Sequence, residues 1–247
     1  MDVRRLIAWA VKASSLREKY EREKAIVFVR LFEEAGVKRG LFSRKRKSPS
    51  NPQKTMQDVL ILRNIVARRQ LPLYNNMVNY ANMASGMLPR KVKGGEQREL
   101  VDGLKRQLAL FITDGAEIRK LLETQINILS AITVQNISPD FLRSISKLWN
   151  EERKTVKRMG KSASIMQGVF FVDAKRIEKM YLDALSGAVL ATNFLRDHKQ
   201  TFMYLQAASI GVMAIGAMVG LDTNEVTGVV RKIGMYGEKL SGMVGSV

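Results

Sequence analysis

A chain of 247 residues can bury a sizeable core in one large or two small domains, and a content of 46% apolar and 7% aromatic residues is that of a globular protein, not a disordered one. Forty-one Lys and Arg against 23 Asp and Glu leave a formal net charge of +18, whose self-repulsion opposes compaction, so a polyanion is the expected partner: nucleic acid or an acidic lipid surface. The absence of cysteine excludes disulfide staples, thiolate zinc sites and cysteine nucleophiles, and it permits a reducing compartment.

The N-terminus, MDVRRLIAWAVKASS, has too short an apolar run before Lys12 to read as a secretory signal. A cytosol-like location is therefore expected, with a membrane surface or the inside of a particle as possible destinations. From residue 2 to 36 apolar positions recur at helical spacing (Leu6, Ala10, Ala13, Leu16, Tyr20, Val27, Leu31), which predicts an amphipathic helix ended by Gly36 or Gly40.

Residues 38–54, KRGLFSRKRKSPSNPQK, hold seven basic residues and no acidic one. They predict an exposed linker, with Arg44, Lys45, Arg46 and Lys47 as candidate contacts for phosphates or lipid headgroups. A helix is expected from near Thr55, carrying Arg63, Arg68 and Arg69. GMLPRKVKGG, residues 86–95, reads as a second basic loop, followed by a long amphipathic helix over 96–134 through Leu104, Leu108, Phe111, Ile118, Leu122 and Leu129.

Ser138 and Pro139 form a restart signal, with Ser138 as N-cap and Pro139 in the first helical position. All five prolines lie at or before Pro139, which favours long helices beyond it. Only SIMQGVFFV, residues 164–172, is a candidate strand, or else the lead into a helix beginning near Asp173. The fold class expected is thus all-α, a multi-helix bundle. Its parts are an amphipathic helix over 1–37, a basic linker over 38–54, a helical subdomain over 55–135 and a second over 138–247.

Arg143, Lys147, Lys154, Arg158 and Lys161 follow one another at spacings of 4, 7, 4 and 3, which keeps them on one helix face. Phe141, Ile145, Leu148 and Met159 form a separate stripe, and Glu151 and Glu152 are the only acids against seven bases between Arg143 and Lys161. A cationic ridge for an anionic partner is expected there. Aromatic residues are sparse and, except for Phe42, do not cluster with the basic runs, so contact to phosphates without base stacking or sequence readout is the expected mode.

QTFMYLQAASIGVMAIGAMVGL, residues 200–221, carries no charge. It has the length of a membrane span, but its many small residues make it weakly apolar for one. The preferred reading is a buried or intersubunit helix, with Ala207, Gly211, Gly216 and Gly220 as small residues that permit close self-association into a homo-oligomer. A helix-turn-helix over 212–231 also fits the spacing, with the crossing at Gly216, the turn at Gly220, and Asn224, Thr227 and Arg231 reaching base edges. Against it, Val212, Met213, Ala214, Ala217 and Met218 would face outward, and the second helix is nearly neutral.

The chemistry of an enzyme is not indicated. His198 is the single histidine, adjacent carboxylates such as Glu33 and Glu34 diverge around a helix, and Gly160-Lys161-Ser162 lacks the first glycine of a phosphate loop because Thr155 stands there. No catalytic set, cofactor or metal site is expected. Size, basicity, helicity and thirteen methionines match the profile of viral matrix and nucleocapsid proteins, a likeness of composition without a shared motif. The sequence therefore predicts a non-enzymatic, self-associating structural protein whose basic surface binds an anionic partner. A helix-turn-helix regulator is one alternative. A membrane-remodelling scaffold that inserts the helix bearing Arg4, Arg5, Leu6 and Trp9 is the other.

Overall fold

The computed structural model of the chain describes residues 3–34, 51–89, 95–187 and 190–244, and over these it is all-α, with no strand among the described residues. Seven α-helices follow in order: α1 (Val3–Glu34), α2 (Pro52–Ile65), α3 (Leu71–Met87), α4 (Gly95–Ala131), α5 (Pro139–Leu185), α6 (Ala191–Met218) and α7 (Asn224–Val244). A π turn, Val66–Gln70, joins α2 to α3, and a 3-10 turn, Val134–Asn136, precedes α5.

The helix boundaries have local causes. The Asn51 side chain accepts from the Lys54 backbone N–H at 3.0 Å, and Pro52 supplies the preset φ of the first turn of α2. Ser138 caps α5 as expected, its Oγ accepting from the Phe141 N–H at 3.2 Å. The π turn lies just before Pro72, which has no N–H for the α-helical ladder; widening the preceding turn lets the rod continue. At the end of α6 the Leu221 N–H reaches Gly216 O (2.9 Å) and the Gly220 N–H reaches Ala217 O (3.1 Å), with Gly220 at φ 82°. This is a Schellman cap, and it needs the left-handed backbone that glycine adopts without strain.

One expectation is corrected. The candidate strand 164–172 is helical and lies inside α5, which runs unbroken past Asp173 to Leu185. Ala163, Met166, Phe170, Ala174 and Ile177 are buried at spacings of 3, 4, 4 and 3, so the apolar run is the core stripe of a helix. The described residues fall into two compact units. Among the described residues, one unit gathers those within 1–12, 79–112 and 159–247, and the other those within 13–78 and 113–158, and α1, α3, α4 and α5 each contribute to both.

The first unit is built around α6, whose residues 211–218 are all buried, against α7 residues Val226, Val229, Ile233 and Leu240. In the second unit Phe28 stacks on Trp149 with ring centres 4.6 Å apart, and Val59, Leu62, Ile118, Leu122 and Ile145 are buried in the same unit.

Candidate anion-binding surface

The surface begins with the two-sidedness of α5 in the second unit. Phe141, Leu142 and Ile145 turn inward while Arg143, Lys147, Arg153, Lys154, Lys157 and Arg158 are all exposed. At 1.5 Å per residue, Arg143 to Arg158 span about 22 Å of helix. Lys161, in the first unit, is exposed as well.

The charge on this face is not uniform. Arg143 pairs with Asp140 at 3.1 Å and Lys154 with Glu151 at 3.3 Å, both exposed one-turn contacts that exchange readily with solvent or a competing anion. Arg158 is held more firmly: its Nε donates to Asp114 Oδ1 at 3.0 Å and its Nη2 to Glu117 Oε2 at 2.5 Å, both on α4. The hydrogen bond to Asp114 pushes the guanidinium's pKa up. Lys147 and Lys157 have no acidic partner among the described residues. Counting only the acids within α5 therefore overestimates what Arg158 offers, and Lys147, Lys157 and Arg153, which lies over the Trp149 ring, are the cations of this stretch with no acidic partner among the described residues. The expected contacts Arg44, Lys45, Arg46 and Lys47 lie outside the described residues.

Glu152, which the sequence places among the acids of the ridge, points the other way. Its side chain is 1% exposed and accepts from Lys24 Nζ at 2.5 Å, where Lys24 on α1 is itself 0% exposed. Gln125 Nε2 on α4 donates to the same carboxylate at 2.8 Å, and the Lys24 ammonium also donates to Gln70 Oε1 at 3.1 Å. Gln70, the last residue of the π turn, is buried. Burial pulls the Lys24 pKa down, and the Glu152 charge opposes that pull. Nearby, burial raises the pKa of Glu21 and that of the fully buried Tyr74. Sequence reasoning missed this cluster although a signal existed. Lys24 lies at the centre of the α1 apolar stripe, and Glu152 falls about 180° from Arg143, inside the stripe of Phe141, Ile145 and Met159.

The residues expected to mediate self-association are used within the chain. Gly211 packs on Ala84, where an added Cβ would come within 3.1 Å of the Ala84 Cβ, and Gly216 lies against Thr223. Gly220 forms the Schellman cap, and Ala207 is half-buried. By length and composition α6 is apolar enough to cross a membrane, and 72% of its most apolar window is buried inside the chain.

The alternative sites fare as follows. Val212, Met213, Ala214, Ala217 and Met218 are buried rather than outward-facing, and Asn224, Thr227 and Arg231 of α7 are exposed. The Thr227 hydroxyl is engaged with the Thr223 carbonyl at 2.8 Å and Met213 Sδ at 3.0 Å. Near the N-terminus Leu6 is buried and Trp9 packs on Tyr80, with ring centres 4.2 Å apart, so the apolar side of that helix is occupied. His198 Nδ1 lies 2.9 Å from the Phe194 carbonyl and its ring stacks on Phe194. Among the described residues no three His, Asp or Glu side chains gather as a metal-binding group.

No protein-family model matches the chain, and comparison with curated proteins and with solved structures yields no match either.

Proposed function

We propose that this is a non-enzymatic structural protein that binds the phosphate backbone of nucleic acid through the exposed cationic face of α5 and associates with copies of itself. The observation that carries this reading is the row of cations from Arg143 to Arg158, in which Lys147, Arg153 and Lys157 have no acidic partner among the described residues. A rigid helix presenting such a row contacts successive phosphates without reading bases. The net charge of +18 adds long-range attraction.

Two observations favour nucleic acid over an acidic bilayer. Leu6 and Trp9, the residues a membrane-inserting N-terminal helix would use, are packed within their own unit. The apolar α6 is mostly buried too. A sequence-specific regulator is less favoured, because Asp222 and Glu225 offset Arg231 and Lys232 around the exposed start of α7.

The test is fluorescence anisotropy with labelled single-stranded RNA and duplex DNA, set beside flotation with acidic liposomes, at low and physiological salt. Binding that falls steeply with salt, shows little sequence preference and weakens on Lys147→Glu with Lys157→Glu is expected. Liposome binding that persists at high salt, with weak nucleic-acid binding, would move the partner to a membrane.

A further inference from the structure

The end of α5, α6 and α7 enclose an open groove of about 660 Å3 in the first unit. Its floor is apolar, made by Tyr181, Leu195 and Phe202, and its α7 wall includes Gly234 and Gly237. A Cβ built on Gly234 would meet nothing within 4 Å, so this wall leaves room for a side chain from outside. One turn along α6 from the groove residue Lys199, Met203 is 62% exposed, and Met235 on α7 is 47% exposed. The two walls carry opposite charge: Lys199 on α6 and Glu238 on α7 line the groove, and neither has an ion-pair partner among the described residues.

We infer that this groove is the site at which a second copy of the chain docks, in a two-fold arrangement that sets the α6 wall of each copy against the α7 wall of the other. The inference rests on the self-association in the proposed function and gives it a surface. A polyanion would meet Glu238, which argues against nucleic acid or an acidic lipid as the occupant. A two-fold contact instead brings Lys199 to the partner copy's Glu238 twice, because in an isologous interface each contact recurs with the roles exchanged. Met203 then enters the space beside Gly234, and the apolar floor is removed from water. This replaces the face through Gly211 and Gly216, which the chain covers itself.

Sedimentation velocity of the full-length protein over a range of concentrations tests this, with Lys199→Glu, Glu238→Lys and an equimolar mixture of the two variants. Both substituted positions are at the surface, so folding is checked by circular dichroism and not expected to change. Wild type is expected to dimerise with concentration. Each variant alone places like charges together and weakens the dimer by at least about tenfold. The mixture restores both charge pairs, so two variants that fail alone should associate together. A wild type that stays monomeric at every soluble concentration, a dimer indifferent to both variants, or a mixture no better than its components would each overturn the groove as the contact. RNA binding measured on the same samples depends on α5 and is expected to be retained. Its absence in wild type would instead remove the phosphate-binding reading and leave the dimer result standing.

Discussion

A lysine and a glutamate with almost no exposed surface, bonded to each other at 2.5 Å, are stable only as a pair. Glu152→Gln keeps the shape and removes the counter-charge of Lys24, and is expected to cost about 3–5 kcal/mol near neutral pH. The sign with pH follows from the lowered pKa of Lys24. Between its folded and unfolded values the unfolded chain binds more protons, so stability rises as pH rises towards the ordinary lysine value. Losing Glu152 lowers the folded value further and widens that window, so the penalty of Glu152→Gln should shrink between pH 7 and 10. Tyr74 acts in the opposite direction, since its folded pKa lies above the ordinary 10 and stability falls once the unfolded phenol ionises. Urea midpoints measured across pH check this, and a penalty independent of pH would mean that Lys24 is not held as a buried ammonium. Replacing both partners by methionine should be far milder than removing either one, because no charge is then left unpaired.

Two helical glycines of identical composition differ in what surrounds them. Gly168 on α5 faces open space, so Gly168→Ala should stabilise by up to about 1 kcal/mol through the lower conformational freedom of the unfolded chain. Gly211→Ala gains the same propensity but forces its Cβ to 3.1 Å from that of Ala84, so it should be neutral or destabilising. Thermal melts of the two variants separate propensity from packing. The helices themselves were legible because their signals are local: the Ser138-Pro139 start, the stripe of α4, and the absence of prolines after residue 139. Residues 164–172 misled because a short, mostly apolar stretch fits a strand and a buried helical stripe equally well until the flanking Ala163 and Ala174 are included in the period. Of the surface, the exposure of Arg143, Lys147, Lys154, Arg158 and Lys161 was legible from spacing. The capture of Arg158 by Asp114 and Glu117 was not, since those acids lie more than forty positions away in sequence and meet it only when α4 packs on α5.

For the whole molecule, a net charge of +18 implies a dependence on ionic strength that no single contact would give. Affinity for a polyanion should fall linearly on a log–log plot against salt, with a slope proportional to the number of phosphates neutralised. If Lys147 and Lys157 each contact one phosphate, Lys147→Gln with Lys157→Gln reduces that slope by about 1.4 on single-stranded RNA. Arg158→Gln is expected to act differently, releasing Asp114 and Glu117 and lowering stability as well as affinity, so its effect should appear in a thermal melt. The most direct test of phosphate binding by the α5 face is therefore the salt dependence of RNA affinity for wild type and the Lys147→Gln, Lys157→Gln double variant. A shallower slope and weaker binding with an unchanged melting temperature is the predicted result. Identical slopes for the two proteins would contradict it and assign the binding to another part of the chain.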